Sequence, residues 1–199
     1  MRSSTERKFV AGPAGRIECA VDAPAGAPRG AALVAHPHPL FGGTLDNKVV
    51  QTLARSFVEL GYEVWRPNFR GVGESEGRHD EGKGEVEDLF AVYKELKAPV
   101  VLAGFSFGAA MQVRLSQKVQ FERMVLVGVA ATNYNLPPVR ADTLVIHGEV
   151  DETIPLAAVL DWARPQELPV IVVPGADHFF HRKLHVLRDI VKANWGGER

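Results

Sequence analysis

The 199 residues make room for one ordinary domain, spanning 1–199, and too little for a second. Apolar residues make up 46 %, enough to bury a sizeable core, which argues against a disordered chain. With 23 basic against 24 acidic residues the formal charge is −1, so no sequence-wide attraction draws the chain to nucleic acid or to an anionic membrane, and neither is expected as a partner.

Met1 to Lys8 is polar and charged and lacks the apolar core of a signal peptide. No apolar run approaches the roughly 18–20 residues needed to span a bilayer. Cys19 has no second cysteine to pair with and reads as a small apolar side chain in the alternating stretch 16–21. These features together predict a soluble, cytoplasmic protein. The stretch before residue 30 reads as two short strands joined by Gly12-Pro13-Ala14-Gly15, an antiparallel hairpin at a sheet edge, and then a loop rich in Pro, Ala and Gly.

From Ala31 onward, short apolar runs alternate with longer amphipathic ones. Ala31 to Ala35 is a buried strand ending at His36. Asp46 to Leu60 places Val49, Val50, Leu53, Phe57 and Leu60 at helical spacing, with Gly61 as its stop. Strands are expected at Tyr62–Phe69, Pro99–Ala103, Met124–Ala130, Thr143–Ile146 and Val170–Val173. Helices are expected at Glu85–Leu96, from the end of the 99–103 strand through Ser116, at Pro155–Trp162 with Pro in the first turn, and at Lys183–Trp195. Strand and helix in this repeated order predict an α/β fold: a mostly parallel sheet with helices on both faces and the antiparallel hairpin at its edge.

Gly104-Phe105-Ser106-Phe107-Gly108 matches G-x-S-x-G directly after an apolar strand and directly before a helix that opens on Ala109 and Ala110. That setting puts a serine on a tight turn above the carboxyl end of the sheet, where open α/β sheets hold ligands. It also places the Phe107 N–H at a helix N-terminus, suited to a developing oxyanion. A serine nucleophile needs a base, and the base an orienting carboxylate. The next strand ends supply both in the order Ser, Asp, His: His147-Gly148-Glu149-Val150-Asp151 follows one strand, and Pro174-Gly175-Ala176-Asp177-His178 the other. Ser106, Asp151 and His178 are the expected catalytic residues. Glu149 and Asp177 are weaker candidates for the acid and His181 for the base, while His147 reads as a packed or hydrogen-bonded structural histidine.

On these residues the chain resembles the α/β-hydrolase superfamily over essentially its whole length. His36-Pro37-His38-Pro39-Leu40-Phe41-Gly42-Gly43-Thr44, the run Asn68 to Gly77, and Gly175 to His181 are similar to a small, lidless bacterial group of serine esterase-like hydrolases. The resemblance implies hydrolase chemistry with Ser106, Asp151 and His178 as the triad, and it names no substrate.

A second oxyanion donor is expected from the loop after His36. Pro37 stands where relatives often carry Gly, and Pro37 and Pro39 have no N–H, so the candidates are the backbone N–H of His38 and, less favoured, of Leu40 or Phe41. The pair His36 and His38 reads as part of a proline-stiffened loop and not as metal ligands. Asn47, Arg70 and Glu74 read as residues that fix these loops. Only residues 132–142 separate the 124–130 strand from the next, too few for a cap domain, so the cleft is expected to be open. Phe41, Tyr134 and Phe179 are candidate lining for an acyl pocket, with Phe107, Leu136 and Phe180 as further aromatic or apolar residues on strand-end loops. The expected reaction is cleavage of a carboxylic ester or thioester in a small-molecule acyl substrate, with no cofactor and no metal. Peptidase or amidase chemistry on the same triad is one alternative, though no acidic anchor for a peptide amine is present. A non-catalytic binding module on the same scaffold is the other, and it would have no need of all three groups.

Overall fold

The computed structural model describes residues 5–195. Its elements run β1 (Thr5–Gly12), β2 (Gly15–Asp22), β3 (Ala31–Ala35), α1 (Lys48–Glu59), β4 (Glu63–Pro67), α2 (Lys83–Tyr93), β5 (Val100–Phe105), α3 (Phe107–Leu115), β6 (Met124–Val127), β7 (Leu144–Gly148), α4 (Leu156–Ala163), β8 (Val170–Val173) and α5 (Leu184–Ala193). One eight-stranded sheet results, in the order β1-β2-β4-β3-β5-β6-β7-β8. β1 pairs antiparallel with β2, and β2 with β4; all other neighbours are parallel.

Helix α1 illustrates how local sequence makes an element. Asn47 caps it, its Oδ1 accepting the N–H groups of Val49 at 2.9 Å and Val50 at 3.4 Å. Val49, Val50, Leu53 and Phe57 then fall on one buried stripe. Burying each is worth about 1.5–3 kcal/mol before entropy is counted. Gly61, at φ 90°, turns the chain into β4. The cap explains why the helix begins two residues after the Asp46 start that periodicity suggests.

Two cores follow from the parallel crossovers. Helices α1 and α5 cover one face, with Leu53, Phe57, Leu187 and Val191 against Val34, Val101 and Ile146. Helices α2, α3 and α4 cover the other, with Leu89, Met111 and Val159 in a cluster with Leu33, Leu102 and Leu126. Cys19 is fully buried in that second cluster, and burial pushes its thiol up to about 12, so it packs as a small apolar group. None of the helices among the described residues is long and apolar enough to cross a membrane.

The sheet order places a topological switch between β3 and β5. The chain leaves β3 through α1 to reach β4 on one side, and leaves β5 through α3 to reach β6 on the other. The two strand-end loops diverge there and open a crevice between them. The strand expected to run to Ala130 stops at Val127, because Gly128 takes φ 51° and turns away. No helix or strand lies between β6 and β7. Pro155 stands one residue before α4, as its N-cap, and not inside its first turn.

Candidate active site

Ser106 lies between β5 and α3 with φ 55° and ψ −115°, a backbone conformation that non-glycine residues rarely adopt. The turn is held by its neighbours. The Ser106 N–H donates to the Val127 carbonyl at 2.9 Å, and the Ser106 carbonyl accepts the Ala110 N–H at 3.1 Å. Both flanking glycines are required by close approach of backbone. A Cβ at Gly104 would stand 2.6 Å from the Ala109 nitrogen. One at Gly108 would stand 2.5 Å from the His36 carbonyl oxygen and closer still to that of Ala35.

β7 and β8 bring the other two groups to the same rim. His178 Nε2 is 3.1 Å from Ser106 Oγ, and His178 Nδ1 is 2.6 Å from Asp151 Oδ2. Since a carboxylate only accepts, Nδ1 carries the proton and Nε2 is free to accept from the serine hydroxyl. Asp151 Oδ1 accepts the N–H groups of Thr153 at 2.9 Å and Ile154 at 2.7 Å. All three side chains are buried. Gly128, missed as a site residue from sequence, leaves the space that the His178 ring occupies: a Cβ there would be 3.4 Å from Cε1.

The competing groups are engaged elsewhere. His181 Nδ1 pairs with Asp177 Oδ2 at 2.6 Å, an exposed couple of its own. Glu149 accepts the Gly175 N–H at 2.7 Å. His147 is fully buried, and its Nε2 donates to the Ile154 carbonyl at 2.9 Å. Burial holds its imidazole below the ordinary histidine range despite the nearby Asp151 carboxylate.

On the other wall, the proline-stiffened loop is pinned by His36. Its Nδ1 donates to the Pro37 carbonyl at 2.6 Å and its Nε2 accepts the Phe69 N–H at 2.9 Å, which ties the β3 end to the β4 end. Burial pushes this imidazole down to about 4, so it is neutral. Of the three candidate donors in the loop, two are spent in its own 3₁₀ turn: Leu40 N–H on His38 Nδ1 at 3.2 Å and Phe41 N–H on the His38 carbonyl at 3.1 Å. The His38 N–H makes no hydrogen bond among the described residues. Phe107 is the first residue of α3, so its N–H has no partner within the helix.

Asn47, Arg70 and Glu74 are all held by structural hydrogen bonds, but none of these bonds reaches the His36 loop that they were expected to fix. Asn47 caps α1, and Arg70 binds both oxygens of Asp88 and the Gly84 carbonyl. Glu74 is exposed, its backbone N–H held by Glu18 and its carbonyl by Arg16. Phe41 is 86 % exposed beside His38, and Phe179 is 44 % exposed beside the His178 ring. Tyr134 is half-buried with its edge on Phe107. Phe107, Leu136 and Phe180 are core residues instead. His79 was not legible as part of this region: its ring stacks on His38 at 4.8 Å, and its Nδ1 sits 2.9 Å from the fully buried Glu85. Only the fold brings that loop, one helix and one strand further along the chain, against the His38 wall. A cavity of about 780 Å³ against α1 and the 23–27 loop has no triad residue in its lining. Among the described residues no group of three or more His, Cys, Asp or Glu is arranged to hold a metal ion.

A doubly wound sheet with a serine elbow at its switch point and no cap defines an α/β-hydrolase architecture. A solved α/β serine hydrolase without a lid from Xanthomonas campestris is 36 % identical, with a TM-score of 0.89 over 98 % of this chain and 94 % of that one. An α/β serine hydrolase homologue from Coxiella burnetii is 35 % identical, with a TM-score of 0.86 and 98 % of each chain covered. An uncharacterized protein of Rickettsia prowazekii (strain Madrid E) is 31 % identical over 195 residues, covering 88 % of this chain and 82 % of that one. No family model matches the chain. The protein belongs to the α/β-hydrolase superfamily, and the solved structures it is similar to include a serine hydrolase without a lid.

Proposed function

We propose that the protein hydrolyses carboxylic esters or thioesters of small-molecule acyl substrates through an acyl-enzyme on Ser106. The observation that carries this reading is the unbroken chain Asp151 Oδ2, His178, Ser106 Oγ, with links of 2.6 and 3.1 Å on an elbow at φ 55°. Ser106 Oγ attacks the carbonyl as His178 Nε2 takes its proton. Asp151 holds the ring in the tautomer that makes this possible and stabilises the imidazolium that forms. The N–H groups of Phe107 and His38 receive the oxyanion. His178 then protonates the departing alcohol or thiol, and water enters by the reverse sequence to release the acid. Phe41, Tyr134 and Phe179 offer apolar surface to the acyl chain. The absence of a cap suits this chemistry, because the second half-reaction needs water.

The test is turnover of short p-nitrophenyl esters and acyl thioesters together with labelling by a fluorophosphonate probe. Wild type should turn over at least one class and carry the label on Ser106, and Ser106→Ala should do neither. An unlabelled, inactive wild type would overturn the reading.

A further inference from the structure

We propose that His147 is a positioning residue for the Asp151 carboxylate, acting through Ile154; this rests on the reading of Ser106, His178 and Asp151 as a working triad. His147 is the next-to-last residue of β7 and is wholly enclosed. Its Nε2 donates to the Ile154 carbonyl at 2.9 Å, while the Ile154 N–H donates to Asp151 Oδ1 at 2.7 Å. Ile154 is thus gripped from both sides, and the turn 151–154 that sets the Asp151 rotamer is clamped to the strand before it. The same Nε2 stands 3.6 Å from Asp151 Oδ2, the oxygen on which the His178 Nδ1–H rests at 2.6 Å. The donor that holds Ile154 therefore lies close beside the carboxylate on which the His178 ring rests.

Packing does not account for a histidine here. Its Nδ1 is buried with no hydrogen-bond partner among the described residues, which destabilises the fold relative to an apolar ring of the same size. What histidine supplies and phenylalanine does not is the Nε2 donor. The titratable groups that face the ring are Asp151 and His178. Removing the donor frees the 151–154 turn and leaves the Asp151 charge less compensated, so the carboxylate that orients the base changes both its place and its field.

Three proteins decide the matter: wild type, His147→Phe and His147→Gln, whose side-chain amide can still donate to the Ile154 carbonyl. In His147→Phe, kcat on a short ester should fall about tenfold with KM changed by less than about twofold. The acid limb of its kcat/KM profile should also shift. His147→Gln should recover most of both. A folded His147→Phe protein with wild-type kcat and an unmoved acid limb would overturn the proposal, as would equal impairment of the two variants. Should the Phe variant not fold, the wild-type ring decides: its ¹⁵N resonances at neutral pH must be those of the Nε2–H tautomer. The Nδ1–H tautomer would overturn the proposal. An active wild type with an indifferent His147→Phe sinks this inference alone, whereas a wild type that neither turns over nor takes the probe sinks the hydrolase reading, and the tautomer still tests the clamp.

Discussion

Acidification should weaken the fold at one identifiable side chain, His36. The ring is fully buried and its Nε2 accepts the Phe69 N–H, a bond that a protonated ring cannot accept without donor facing donor. Burial brings it from the ordinary value of 6.5 down to about 4. The folded value lies below the unfolded one, so the unfolded chain takes up the proton first as pH falls. The contribution is complete above about pH 6.5 and is lost as pH drops toward 4. At about 1.4 kcal/mol for each pH unit between the two values, the loss is about 3 kcal/mol. Carboxylates and His147 titrate too, so the useful quantity is a difference against His36→Gln, whose amide oxygen can accept from Phe69 and does not titrate. Urea unfolding of both proteins from pH 7.5 to 4, followed by circular dichroism with matched m-values, supplies it. The wild-type advantage should shrink by about 3 kcal/mol across that range. A difference that stays constant with pH would mean that His36 titrates alike folded and unfolded, and would refute the argument that burial keeps it neutral.

Asp151→Asn should keep the fold, since an amide oxygen can still accept from Thr153 and Ile154, yet lower kcat by about 10⁴-fold because its NH₂ cannot hold His178 in the Nδ1–H tautomer; ester kinetics with a matched thermal melt check both parts. Gly108→Ala should destabilise by at least about 2 kcal/mol, since the new methyl meets the Ala35 and His36 carbonyl oxygens, which are backbone and cannot swing aside. Denaturant midpoints would show it, and an unchanged midpoint would refute the close backbone approach at Gly108. Phe41→Ala, at an 86 % exposed position, should leave stability within about 0.5 kcal/mol while raising KM several-fold for aryl or long-chain esters and hardly at all for acetates.

Chain-local physics was readable from one dimension. The spacing of Val49, Val50, Leu53 and Phe57 is the stripe that α1 buries, and Val170–Val173 is β8 to the residue. Ser106, Asp151 and His178 were each readable because each follows its own strand, and parallel strands deliver their ends to one rim. The short link after β6 likewise left no material for a cap. Ends of elements were less readable, because they depend on a single cap or a single positive φ, as at Asn47 and Gly128.

Other features needed contacts between segments far apart in the chain. Which histidine faces Ser106 follows from pairing: Asp177 takes His181, leaving Asp151 to His178. Of the candidate donors in the 38–41 loop, His38 alone keeps its N–H unspent among the described residues, because the Leu40 and Phe41 N–H groups close a 3₁₀ turn. His79 and Glu85 reach the His38 wall from the far side of β4, and His147 grips Ile154 across a turn. The layered α/β sheet, the short uncapped link after β6 and the strand-end positions of Ser106, Asp151 and His178 are legible in the chain, because periodicity and strand-end position are local properties. Hydrogen-bond partners, tautomers and burial come only with folding, since each depends on which groups it leaves within about 3 Å of one another.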